Sequence, residues 1–368
     1  MDLGAAFNTP ITGSYDPEDC LFLLKPIQPR DVPVNEKEHL IQSGRRHYSE
    51  MVTLEHPASP AYVKLFLELT ERNRNRLAQD ALNLADTIRR TRASPITLVS
   101  LARAGTPIGA LLQRALSRQL AASSRHYSIS IIRDRGIDER ALEYILRHER
   151  RPAEGLVFID GWTAKGVITH ELKRSIARWN ARTTEMLSDM LYVIADIGGS
   201  ADMAATNDDY VIPSGILGAA VSGLISRSIL NEQIGARDFH GCVVYQHLRF
   251  EDRSRWFLDT LSETMARLTP QPLPALNNTR RQTITAAYID HICNVYDIAD
   301  INHIKPGVLE ASRVMLRRLP RLLLLRDPEC ADVAHLKLLA EEKSVPVEYD
   351  PDMPFNATAL IEDLRAAA

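Results

Sequence analysis

Between residues 96 and 180, apolar runs of strand length alternate with segments of helical period, and this alternation constrains the fold more than any other feature of the chain. Ile96 to Leu101 reads as a strand and IGALLQRALSRQL as an amphipathic helix. YSISIIR is the next strand, followed by a helix around Glu139 to Arg147. LVFI at 156–159 then reads as a buried strand, and Ile168 to about Trp179 as a helix. Strands that alternate with helices in this way predict an α/β fold built on a parallel sheet. YVIADIGG extends the pattern with a strand ending on an acid, and ILGAAVSGLISRSIL at 216–230 is expected to be helical.

The flanks read differently. Pro26, Pro29 and Pro33 punctuate a polar lead-in, so residues 1 to about 40 are expected to form a largely irregular arm. Leu65, Leu69, Leu77, Leu84 and Ile88 recur at helical spacing and predict one long helix, or two in succession, between Pro60 and Arg92. The Pro-rich stretch RLTPQPLPALNNTRRQ interrupts the periodicity and marks a boundary. The expected organisation is an N-terminal arm or hood (1–60), a main α/β domain (61–268) and a small C-terminal α/β domain (282–368). In the last, GVLEASRVMLRRL and DVAHLKLLAEEK read as helices, RLLLLR and VPVEY as strands.

Composition narrows the function classes. A formal net charge of −3 over 368 residues gives no global field toward nucleic acid or membranes. No run approaches the roughly 18 apolar residues that span a bilayer, and the N-terminus lacks a secretory pattern. The four cysteines lie far apart without metal-ligand spacing, so a reduced, cytoplasmic setting is expected.

Ligands of open parallel sheets bind beyond the carboxyl ends of the strands, which directs attention to the turns there. Arg103, Ala104 and Gly105 put a cation and a glycine at a helix start. Arg133, Arg135 and Gly136 share a short loop. In DGWTAKG, Asp160 ends a strand and Thr163, Ala164, Lys165 and Gly166 turn into a helix. Three of four such turns, the fourth being ADIGGSAD, combine a cation with glycine, which points to an anion with several phosphate groups. Asp196, Asp202, Asp208 and Asp209 read as solvated loop acids, and Trp162 as a packing residue.

SGRRHYSEM, LVSLARAGTPIG, IIRDRGID and LVFIDGWTAKG, in that order, resemble the type I phosphoribosyltransferases, in particular the orotate phosphoribosyltransferase branch. Over nearly its full length the chain resembles a bacterial two-domain family found with tellurite-resistance and stress genes. There a phosphoribosyltransferase-like domain precedes a Pelota-type RNA-binding domain, and the family also carries a stress-induced cysteine protease label. The resemblance implies a Mg²⁺-dependent enzyme that transfers a phosphoribosyl group between PRPP and a base. Arg103, Ala104 and Gly105 would meet pyrophosphate, Asp160 the ribose hydroxyls and the metal, and Thr163 to Gly166 the 5-phosphate. Arg133 and Arg135 would close over the substrate, and Ser43, Gly44, Arg45 and Ser49 would lie near the base. The chain departs from that pattern at Gly161, where a second acid is usual. A homodimer is compatible with the resemblance.

HIKPGVLEASRVMLRRLPRLLLLRD resembles the L7Ae and Pelota fold, which implies RNA contacts at Lys305, Gly307, Arg313 and Arg317. Two alternatives stand beside phosphoribosyl transfer. One is a non-catalytic PRPP or nucleotide sensor, favoured by Gly161. The other is a cysteine protease or hydrolase using Cys242, which alternates with His240 in DFHGCVVYQH. Residues two apart on a strand share a face but stand too far apart for a thiol–imidazole hydrogen bond without a bend.

Overall fold

The computed structural model describes residues 7–364. The predicted apolar runs are strands buried on both faces, as a parallel sheet covered by helices requires. In chain order the main domain contains β1 (Leu21–Leu23), β2 (Lys25–Pro26), α1 (Val34–Gln42), α2 (Pro60–Thr91), β3 (Ile96–Ala102), α3 (Gly105–Arg114) and β4 (Ser124–Ile132). It continues with β5 (Gly136–Ile137), α4 (Glu139–Glu143), β6 (Leu156–Thr163), α5 (Val167–Asn180), β7 (Leu191–Asp196), β8 (Met203–Thr206), β9 (Gly241–Cys242) and α6 (Ser254–Met265).

The central sheet runs β1-β4-β3-β6-β7-β8, and every pair along that path is parallel. From β3 the chain goes first to β4 on one side and later to β6 on the other. The topological switch point therefore falls between β3 and β6, where ligand crevices of such sheets form. Helices α2, α3 and α6 contribute Phe66, Leu77, Ile88, Leu111 and Phe257 to the core on one face. Helices α4 and α5 cover the other with Leu142, Leu172 and Ile176. α2 is one continuous helix, started by Pro60 in its first turn and by the Ser59 hydroxyl, which accepts from the Tyr62 N–H at 3.2 Å.

One expectation is refined and one corrected here. The N-terminal arm is largely irregular up to α1, but it is firmly anchored: β1 lies parallel to β4 with Phe22 and Leu23 fully buried, and Asp19 makes a buried pair with Arg114 at 2.6 Å. The first six residues of that arm lie outside the described residues. The segment at 216–230 is not an α-helix, because Gly218 (φ +69°), Gly223 (φ +72°) and Leu224 (φ +61°) are left-handed. Its freed backbone serves as ligand instead: the Ala219 N–H donates to Glu55 at 2.8 Å, and the Ile225 carbonyl accepts from Arg103 at 3.0 Å.

After an irregular stretch, the C-terminal part comprises α7 (Asn278–Tyr296), β10 (Ile304–Pro306), α8 (Val308–Arg317), β11 (Pro320–Leu325), α9 (Ala334–Lys343), β12 (Val347–Tyr349) and β13 (Ala357–Ile361). Its sheet has the order β10-β13-β11-β12. Leu309, Val314, Leu323 and Leu336 from this part belong to one core with Trp162, Ile194 and Tyr210 of the main domain. The C-terminal part is thus packed onto the main domain through a shared apolar core. No helix among the described residues is long and apolar enough to cross a membrane.

Candidate functional site

At the switch point the β3 and β6 ends approach so closely that side chains are excluded. A Cβ on Gly105 would lie 2.6 Å from the Ile159 carbonyl oxygen, and one on Gly161 would lie 3.0 Å from that of Ala104. This leaves little room for a second acid at position 161. Arg103 leaves β3 buried and pairs with Glu55 at 2.6 Å. Arg317 of α8 reaches the same carboxylate at 3.5 Å. Burial opposes ionisation of Glu55, but the two guanidinium groups outweigh it and hold the carboxyl down to about 2. Burial together with the charge of Arg103 lowers Arg317 to about 10.

Asp160 does not end its strand, because β6 pairs with β7 as far as Thr163; it accepts from the Gly161 N–H at 2.7 Å. Burial pushes its carboxyl up to about 7, against the attraction of Arg313 and aided by repulsion from Glu310. Two residues on, the Trp162 indole donates to Glu310 at 3.0 Å, while the Arg313 guanidinium lies 4.5 Å from its ring centre. Trp162 packs as expected, and it is the indole against which α8 seats. Lys165 donates to the Ile301 carbonyl. Burial and the neighbouring charge of Lys305 bring it down to about 7. A carboxyl and an amine, each brought to about 7, therefore lie five residues apart along this stretch, and both feel the charge of Glu310.

The C-terminal part closes this crevice as a seam. Asp209 accepts from the Val308 N–H at 2.8 Å and the Asn356 N–H at 2.7 Å, so a main-domain carboxylate caps α8. Arg318 pairs with Glu38, with Nη2 to Oε2 at 2.8 Å. The packing is tight: a cavity of about 10 Å³ remains between Trp162, Ile197, Asp209, Leu309 and Glu310, the scale of one water. A substrate larger than that enters only if the seam opens.

The remaining predicted residues are distributed as follows. Thr163 bonds Ser200 at 2.9 Å, Ala164 is buried, and Gly166 (φ +74°) opens α5, so this turn is packed against the loop after β7. The Arg133 N–H donates to the Tyr48 hydroxyl at 2.9 Å and its side chain to Asn302 at 3.3 Å. Arg135 pairs with Glu50. Ser43, Gly44 and Arg45 form the exposed C-terminal turn of α1, and the Gly44 N–H donates to Ile41 at 3.0 Å. Ser49 is buried and bonds His47 at 2.8 Å. Lys305, Gly307, Arg313 and Arg317 lie on the seam. Among the described residues no group of three or more His, Cys, Asp or Glu is placed to hold a metal ion. Asp202 pairs with Lys173 at 2.8 Å and Asp208 with Arg76, while Asp196 accepts four backbone N–H groups and is structural, not a solvated loop acid. Asp209 is half-buried and is spent on the seam, where it accepts from Val308 and Asn356.

Sequence reasoning missed Glu55, Tyr48 and Glu38. Glu55 sits in coil without periodicity, so nothing local marks it.

The cysteines present a different environment. Cys242 lies in the two-residue β9 beside Pro26 of β2, fully buried, and burial alone pushes its thiol up to about 12. His240 precedes that strand and its Nδ1 meets the Ser130 hydroxyl at 2.7 Å. His47, His126 and His335 likewise meet serines, at 2.8, 2.7 and 2.6 Å. Among the described residues no imidazole hydrogen-bonds a cysteine. Cys20 is buried, and Cys293 and Cys330 are half-buried.

Against this geometry stand the comparisons with known proteins. Residues 13–262 match the family model described as the tellurite-like stress resistance cysteine protease StiP, and residues 283–363 match the PELOTA RNA binding domain. The protein named cysteine protease StiP from Acinetobacter baylyi is 40% identical over 367 residues, covering 96% of this chain and 94% of its own. An amino transferase structure from Eubacterium rectale covers 73% of this chain and 77% of its own at 12% identity, but its TM-score of 0.21 carries no argument. These matches correct the main functional expectation: the model covering the parallel-sheet domain is that of a cysteine protease family, so phosphoribosyl transfer is set aside and PRPP loses its support as a partner. The fold stands at the coarser level of a mostly parallel α/β sheet with a Pelota-type C-terminal domain. On the match over residues 13–262 and the full-length likeness, the chain belongs to the StiP family of tellurite-like stress resistance cysteine proteases.

Proposed function

We infer that this chain is a hydrolase of stress resistance that cleaves peptide bonds through a cysteine thiol. The observation that supports the reading is the family itself, joined to a full-length relative at 40% identity that bears the protease name. Cys242 is the candidate nucleophile. In the reaction its sulfur would lose a proton to a base, attack the carbonyl carbon and form a thioester as the amine leaves with a proton. Water would then cleave the thioester. A thiol held near pH 12 by burial is protonated at neutrality, so the described conformation is a resting one. Reaction requires β2 and β9 to part, and requires a base such as His240 to leave Ser130.

The test is cleavage of a fluorescently labelled unfolded protein by four single variants, Cys→Ala at 20, 242, 293 and 330. Cys242→Ala should lose at least about a thousandfold in rate, the scale on which removing a nucleophile acts, while the other three retain activity. Full activity in all four would exclude thiol chemistry.

A second reading is favoured by Asp160 and Lys165, which titrate near neutrality at the switch point. They suit general acid–base hydrolysis of a substrate admitted when the seam opens. Under that reading Asp160→Asn abolishes cleavage and Cys242→Ala does not.

A further inference from the structure

The seam brings four basic side chains from two domains together. Arg133, Lys165, Lys305 and Arg313 lie close enough to perturb one another, since Arg133 and Lys305 both oppose protonation of Lys165, and Arg133 and Arg313 that of Lys305. The carboxylates at hand are few. Arg133 pairs with Asp134 at 3.1 Å and Arg313 with Glu310 at 2.6 Å. Neither lysine has a carboxylate within ion-pair distance among the described residues, although Asp300 and Glu310 attract Lys165 and Glu310 attracts Lys305. Asp160 and Lys165 are both brought to about 7, so near neutrality each carries only part of its charge, and a bound phosphate would favour the protonated lysine. Like charges brought together in a half-buried seam repel, and a bound polyanion removes that cost. The rim of the group is reachable without opening the crevice at Trp162: the side chains of Arg133 and Arg313 are 33% and 37% exposed, and Lys165 and Lys305 are half-buried.

Two of these cations belong to the main domain, on the loop after β4 and the turn after β6. The other two belong to β10 and α8 of the Pelota-type part. They are tied across the boundary by Arg133 to Asn302 at 3.3 Å and by Lys165 to the Ile301 carbonyl. We propose that these four cations form one phosphodiester-binding surface shared by both domains, so that an RNA strand engages the main domain as well as the Pelota-type part. The matched RNA-binding segment starts at residue 283, so Arg133 and Lys165 lie outside it. The surface is independent of the thiol reading, because binding is measured without cleavage.

The experiment uses the full chain and a fluorescein-labelled oligouridylate of about twenty nucleotides, followed by anisotropy between about 50 and 200 mM salt. Lys165→Gln and Arg133→Gln should each weaken binding about 3- to 10-fold and lower the slope of log affinity against log salt by about 0.7, the loss of one phosphate contact on a single strand. Lys305→Gln should act alike. Lys173→Gln, which removes a main-domain lysine paired with Asp202 away from the seam, should leave affinity unchanged. Thermal unfolding of each variant separates lost contacts from lost structure. Wild-type affinity in folded Lys165→Gln and Arg133→Gln, with weakening confined to Lys305→Gln, would restrict RNA to the C-terminal part and overturn the proposal. Failure of the unaltered chain to bind the probe would overturn it equally.

Discussion

The β6 turn and the β9 strand are both candidate centres, and they are built on opposite principles. At the β6 turn, Glu310 bonds Trp162 and pairs with Arg313, and its charge is felt by both Asp160 and Lys165. At β9, Cys242 sits among apolar side chains, with burial alone setting its titration. Electrostatic crowding makes a region sensitive to pH, salt and anions. Apolar burial makes a thiol inert until the chain around it moves. Family membership points to thiol chemistry, whereas preformed polar geometry lies at the other centre. The difference teaches that the reactive group of such a chain need not be the one whose surroundings look poised.

The largest expected effect that sharpens this contrast is on pH dependence. The Asp160 carboxyl titrates near 7 when folded and near 4 when unfolded, so the folded state holds the extra proton between those values. Its contribution is therefore favourable below about pH 4 and is lost as pH rises through 7. Asp160→Asn should remove that slope and gain up to about 4 kcal/mol relative to the unaltered chain between pH 4 and 8, an upper bound from about three pKa units at 1.4 kcal/mol each. Chemical denaturation across that range measures it. In the same scan Cys242→Ala should keep the slope of the unaltered chain, and a slope unaffected by Asp160→Asn would break the comparison.

A somewhat smaller effect is expected at Arg103. Arg103→Met keeps apolar volume but leaves the Glu55 carboxylate with Arg317 at 3.5 Å and one N–H donor. Removing one partner of a buried pair costs about 3 kcal/mol, read as a lower denaturation midpoint at neutral pH. An unchanged midpoint would mean that the β3 end does not depend on its ion pair.

Much of the fold was legible for a physical reason. β3, β4, β6 and β7 are buried on both faces, and β6 and β7 read as near-continuous apolar runs, while in β4 the apolar residues alternate with Ser128 and Ser130, which still gives a strand period. The segment at 216–230 misled because its apolar spacing is helical while Gly218, Gly223 and Leu224 bend the backbone the other way. Arg103, Asp160, Lys165, Lys305 and Arg313 were legible as charges at or near strand ends and helix starts. Their meeting was not, because a seam between segments more than a hundred residues apart leaves no local pattern in either. The short β10 and β13 went unread for a related reason: β10 contains Pro306, and the pairing partners that make both of them strands are distant in sequence. Nor does sequence spacing tell that His240 spends its Nδ1 on Ser130.

The account rests most heavily on Cys242 becoming a nucleophile although it is buried at rest. The direct measurement is peptide mapping by mass spectrometry after incubation with an epoxysuccinyl peptide, which alkylates a thiolate seated beside bound peptide. Loss of cleavage in step with a single adduct on Cys242 is the predicted result. An adduct confined to the half-buried Cys293 or Cys330, with cleavage intact, would contradict it.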